Sequence, residues 1–144
     1  MTNAQTVFEL TVVLIDEVSE SGATDTPDTR EYKDKAIAIL NILRGELYPY
    51  SDTYQEAAPG KRSIAAKIEN FTDGIDLDDY ICQSVLPYGL AAHLLLEENP
   101  GSAGFFQQKY DELKAGLARG LPQVSEDIAD VYGGCFPYNE FGSW

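Results

Sequence analysis

Residues 76–96 read DLDDYICQSVLPYGLAAHLLL, and their spacing decides the fold class. Leu77, Ile81, Ser84, Tyr88, Ala91 and Leu95 recur at three and four residues, and Val85, Ala92 and Leu96 widen the same stripe. That period belongs to an α-helix with one broad buried face; a half-buried strand would alternate instead. A helix is predicted from near Asp76, with Asp76 or Asp78 as its cap, to the turn Asn99-Pro100-Gly101. Pro87 lies inside the pattern. It lacks an N–H and its ring collides with the preceding turn, so a bend is expected between about Gln83 and Gly89. Gly89, Ala91 and Ala92 are small enough to let another helix approach closely.

Downstream, Ser102 is expected to cap a further helix in which Phe106, Tyr110, Leu113 and Leu117 repeat, closed by Gly120 and Pro122. Upstream, Tyr32, Ala36, Ile39, Leu43 and Leu47 form a second helical stripe, widened by Leu40. Thr26 precedes Pro27, the pattern of an N-cap followed by proline at the first helical position, and Pro49 ends the helix. Near the start, Val7, Leu10, Leu14 and Val18 predict a helix from about Thr2 to Ser19, with Phe8, Val12 and Ile15 beside the stripe and Gly22 as its stop.

Two stretches break the helical period. Residues 48–74 carry Tyr48, Tyr50 and Tyr54, then an alternation Ile64, Ala66, Ile68 that suggests one short strand or an extended arm. A connection of that length exceeds the ~12–15 residues usual inside a compact domain, so it is expected to be functional or to dock on a partner. Residues 121–144 contain no Lys or Arg and set Tyr132, Phe136, Tyr138, Phe141 and Trp144 among glycines and Pro137. Each aromatic gains about 1.5–3 kcal/mol from burial, which suits a docking arm better than a solvated tail. The chain is thus expected to be all-α: a bundle of about four helices in residues 1–120, interrupted by an extended arm at about 48–74, with a C-terminal arm at 121–144.

The 144 residues suit one domain, and 44% hydrophobic content suits a folded one. Ten Lys and Arg against 24 Asp and Glu give a net charge of −14, which argues against a broad grip on DNA, RNA or anionic lipid. No apolar run approaches the ~20 residues of a membrane span, and no secretory signal is visible, so a soluble protein made in a cytoplasm is expected. Cys82 and Cys135 stand far apart, and His93 is the lone histidine, so neither a zinc site nor a cofactor is expected. The acidic run Asp73, Asp76, Asp78, Asp79 fails the calcium-loop template: its sixth residue is Asp78 where glycine is needed, and its twelfth is Ser84 where glutamate is needed. It reads instead as carboxylates at the positive end of a helix. Lys61-Arg62 is a weak nucleic-acid signal, and Gly101-Ser102-Ala103-Gly104 is a turn rather than a phosphate loop. No pairing of nucleophile and base is legible, so no enzyme is expected.

Asp78-Asp79-Tyr80-Ile81, Leu86-Pro87-Tyr88-Gly89-Leu90-Ala91-Ala92, Glu97, Phe105-Phe106 and Tyr110-Asp111-Glu112-Leu113 together resemble the small head-tail connector (adaptor, head-completion) proteins of tailed bacteriophages and prophages. Ala36-Ile37 and Leu40-Asn41-Ile42-Leu43 in the preceding helix are also similar to theirs, so the likeness spans about residues 29–117. These are helix-packing residues; the aromatic arm and the acidity depart from the family. The resemblance implies a virion neck protein that forms a homo-oligomeric ring, twelvefold by analogy with portals. The ring would lie between the portal protein and the next neck or tail-completion protein, and DNA would pass its lumen without specific binding. A negative lumen would repel phosphates. Docking would fall to Tyr50, Tyr54, Ile64 and Ile68 in the inserted arm and to Tyr132, Phe136, Tyr138, Phe141 and Trp144 in the terminal arm. Two rival classes remain: an acidic helical regulator or assembly chaperone, and an enzyme built on carboxylates such as Asp76, Asp78 and Glu97, which the missing nucleophile–base pair and phosphate cradle disfavour.

Overall fold

In a computed structural model that describes residues 1–16, 22, 26–27 and 29–120, the chain forms α1 (Ala4–Leu14), α2 (Arg30–Leu47), α3 (Asp79–Ser84), α4 (Leu86–Leu94) and α5 (Pro100–Gly120). A 3-10 turn, Tyr48–Tyr50, follows α2 and carries Pro49. Counting α3 and α4 as the two limbs of one broken helix, the described residues make a four-helix, all-α fold. The terminal arm with Tyr132, Phe136, Tyr138, Phe141 and Trp144 lies outside the described residues, as do Val18 and Cys135.

α4 occupies the centre and packs against α5, α1 and α2. Its position follows from composition. Leu86, Pro87, Gly89, Leu90, Ala91, Ala92 and Leu94 are all buried, and a helix apolar on most of its circumference must be covered on most of it; Tyr88 is half-buried and His93 exposed. α2 gives the core Tyr32, Ala36, Leu40, Leu43 and Leu47; α5 gives Ala103, Phe106 and Tyr110. The break between α3 and α4 falls at Val85 (φ −109°, ψ −50°), two residues before Pro87. Pro87 has no N–H to offer the Gln83 carbonyl, so the i→i−4 ladder cannot run through.

Four helix ends differ from the expected ones. α4 stops at Leu94 with Leu95 as its cap, short of the Asn99-Pro100-Gly101 turn. α1 stops at Leu14, not near Gly22, because Asp16 adopts a left-handed conformation (φ 59°) and donates its N–H to the Val13 carbonyl at 3.2 Å. α2 starts at Arg30, three residues past the expected point. Thr26 and Thr29 close a turn around Pro27 instead, with the Thr26 N–H donating to Thr29 Oγ1 at 3.0 Å. α5 begins at Pro100, which the sequence reading took as a terminator. The Asn99 side chain accepts from the Ser102 N–H at 3.2 Å, so Asn99 rather than Ser102 caps the helix, with proline at its first position.

The stretch after the 3-10 turn is extended but forms no strand; an isolated bridge joins Asn3 and Gly74. Side chains of α2 satisfy its backbone where a strand partner would have done so. Asn41 donates to the Ile68 carbonyl at 2.8 Å and accepts from the Ile68 N–H at 2.9 Å, and Arg44 donates to the Ala65 carbonyl. The buried positions are therefore Ala65, Ile68 and Ile75, while Ile64 and Ala66 face outward, which corrects the expected alternation. Phe71 stacks edge-on against Phe8 at 5.7 Å, with the Lys33 ammonium 5.1 Å from the Phe71 ring centre. The same stretch completes the start of α1. Ala4 and Gln5, whose N–H groups have no partner within the helix, donate to the carbonyls of Asp73 and Phe71 at 3.1 and 2.9 Å.

Candidate interaction surface

The acidic run is placed by its hydrogen bonds. Asp73 accepts from the N–H groups of Asn70 and Glu69, both at 2.9 Å, and these bonds hold its carboxyl below the usual range. Asp78 caps α3 through the Ile81 N–H at 2.9 Å and also takes the Asp52 N–H at 3.2 Å. Asp79 accepts from the Thr2 hydroxyl at 2.7 Å and the Thr2 N–H at 3.1 Å, and its carboxyl is lowered chiefly by that hydroxyl. The Asp78 and Asp79 carboxylates thus hold the 50s loop and the N-terminal segment to the start of α3, while the Asp73 carboxylate closes its own turn. Asp76 contributes its backbone carbonyl, which accepts from the Thr53 hydroxyl at 3.0 Å. Among the described residues no group of three or more His, Cys, Asp and Glu is arranged to hold a metal ion.

Cys82 is fully buried on α3, and burial, followed by the charges of Asp78 and Asp79, pushes its thiol up to about 12. Such a thiol stays protonated and unreactive near neutrality. His93 is exposed in the last turn of α4, and Lys61 and Arg62 are exposed in the extended stretch. Among the described residues no helix is long and apolar enough to cross a membrane.

What remains is apolar surface. A groove of about 410 Å³ runs between α1, the start of α4 and α5. Leu10, Val13 and Leu14 form one wall, Pro87 and Tyr88 another, and Leu113 with Lys109 the third. Val13 is 59% exposed at its rim. A smaller cleft of about 310 Å³ lies beside it, with Leu14, Leu95 and Phe106 in its walls together with Tyr32 and Glu98, which are hydrogen-bonded to each other. Phe105, Leu96 and Tyr80 add exposed apolar area elsewhere.

The docking residues expected in the inserted arm divide. Ile64 is 82% exposed and Tyr54 is exposed, packing its ring edge on Tyr48 at 5.2 Å. Tyr50 is half-buried. Ile68 is fully buried in the core and is not available to a partner, because the Asn41 clamp turns it inward. Of the packing residues around the bend, Pro87, Gly89, Ala91 and Ala92 are buried, while Tyr88 is half-buried against Phe106 and lines the groove.

Sequence reasoning placed Leu10 and Leu14 on one buried stripe and so missed the groove; Leu14 does pack against the core, while Leu10 does not belong to it. The signal was present. α1 is apolar on two sides, with Ala4, Val7, Phe8, Thr11 and Val12 buried, Leu14 partly buried at the edge of the core, and Leu10 and Val13 on the other side. Only one side can face the centre of a bundle of this size, so the second must meet something else. Comparison with protein-family models, with characterised proteins and with solved structures returns no match.

Proposed function

We propose that the chain is a structural protein of the phage neck, joining a ring between the portal and the next neck or tail-completion protein and lining the DNA channel. The observation that carries this reading is the apolar groove at α1, α4 and α5 on a chain of net charge −14, a surface suited to protein rather than to nucleic acid. The use of the acidic run as backbone caps supports a scaffold role, and the connector-like residues between 29 and 117 support the neck in particular. The net charge also favours the second reading, a helical regulator or assembly chaperone that masks a basic partner.

Co-expression with the portal protein of the same genome separates the two. The neck reading expects a ring on the portal, visible by electron microscopy, and its loss when residues 132–144 are deleted. Truncated protein that completes heads and joins tails at the yield of the full chain removes the docking arm from the mechanism. Capture of a basic, non-virion partner with no ring on the portal favours the regulator.

A further inference from the structure

The groove between α1, α4 and α5 has walls of Leu10, Val13, Leu14, Pro87, Tyr88 and Leu113, and its charged group is Lys109. We propose that this groove receives the chain's own residues 132–144 in the free protein, with Phe141 and Trp144 supplying the apolar contact and Glu140 meeting Lys109. This inference does not rest on the neck reading.

Three observations converge on that occupant. The first is chemical match. Residues 132–144 hold five aromatics, Tyr132, Phe136, Tyr138, Phe141 and Trp144, the class of side chain that gains most from an open apolar groove. The second is charge. Lys109 makes no ion pair among the described residues, whereas Lys114, five residues further along α5, is paired with Glu46 at 2.9 Å. Residues 121–144 carry Glu126, Asp127, Asp130 and Glu140 and no Lys or Arg, so whatever part of them approaches Lys109 brings the complementary sign. The third is reach. Leu113 and Lys109 stand on α5 itself, about 10 and 16 Å back along the axis from Gly120 at 1.5 Å per residue. The eleven residues between Gly120 and Tyr132 can span about 36 Å when extended, more than enough for the return.

The tether also decides between this chain's arm and another copy's. A segment joined by a short linker faces its groove at an effective concentration in the millimolar range. A second copy at micromolar concentration must in addition approach a chain of net charge −14.

Trp144 is the single tryptophan of the chain, so its fluorescence reports the arm alone. In the full-length protein its emission is expected to be blue-shifted from that of the unfolded chain, with acrylamide quenching reduced several-fold and no change on dilution. Val13→Asp places an acidic group at the exposed rim, and Lys109→Glu reverses the groove's charge. Each should return emission and quenching towards the unfolded values while circular dichroism stays helical. Ile42→Asp, at an exposed position of α2 outside the groove, should leave both unchanged. Solvent-like Trp144 in the wild type overturns the proposal. So does a buried Trp144 that ignores both groove variants, or a signal that fades on dilution, which would mark a second copy as the occupant. None of these outcomes depends on a portal, so this proposal and the neck reading fail separately.

Discussion

A methyl group at Gly89 would sit 2.9 Å from two ring carbons of Tyr110 and 3.1 Å from Leu43 Cδ1. Glycine here therefore sets how closely α4 approaches α5 and α2. Tyr110 cannot yield cheaply: its ring is buried, and its hydroxyl has no hydrogen-bond partner among the described residues. Gly89→Ala is expected to destabilise by about 1–3 kcal/mol through overpacking, read from urea unfolding. Wild-type stability would mean that α4 and α5 can separate without loss. Asp79 acts at the same scale through charge. Its carboxyl is lowered in the folded chain by the Thr2 hydroxyl. The stability it contributes is present above the unfolded value of about 3.9 and is lost as pH falls through the lower folded one. Asp79→Asn should flatten the fall of melting temperature with acidification below about pH 4; equal slopes in the two proteins would deny Asp79 that role.

At the scale of elements, the extended stretch is held by α2 more than by any pairing of its own. Asn41 satisfies both the N–H and the carbonyl of Ile68. Asn41→Ala leaves both groups to find water, at a cost of about 1–3 kcal/mol. Hydrogen exchange should rise first around Ala65–Ile68 rather than along α4; uniform exchange changes would argue against a local clamp. The identity of this segment was hard to read in sequence. An alternation of Ile64, Ala66 and Ile68 looks the same whether the partner is a strand or a side chain on a helix 27 residues away. The helices themselves were legible, and so was the interruption near Pro87, because period and a missing N–H are properties of the local chain. Their ends were not. Pro27 and Pro100 sit in similar local contexts, yet one lies in a turn and the other opens a helix. The difference lies in which neighbouring polar group, Thr29 or Asn99, meets the free backbone groups.

For the whole molecule, the net charge of −14 is the dominant long-range term. Screening extends over about 8–10 Å near physiological ionic strength, so copies repel unless their contact surfaces are brought together by something else. Sedimentation velocity is expected to show monomers or weak oligomers for the isolated chain, with association growing as salt is raised. A stable ring at low salt would show that apolar contact outweighs the repulsion unaided.

The amino-acid sequence by itself determined that this chain is helical, where its helical stripes run, that one helix is interrupted near Pro87, and that Asp78 and Asp79 stand at a helix start. These follow from spacing and from the chemistry of single residues, which neighbours in space do not alter. Only the tertiary structure decided which apolar side of α1 faces inward, where each helix begins, and that Ile68 is core while Ile64 is surface. The groove belongs to that second class. Its walls come from residues 10–14, 83–88 and 109–113, and no local pattern records that three separate segments leave their unburied apolar sides facing the same space. Burial depends on what packs against a side chain, and that is set by the whole fold at once.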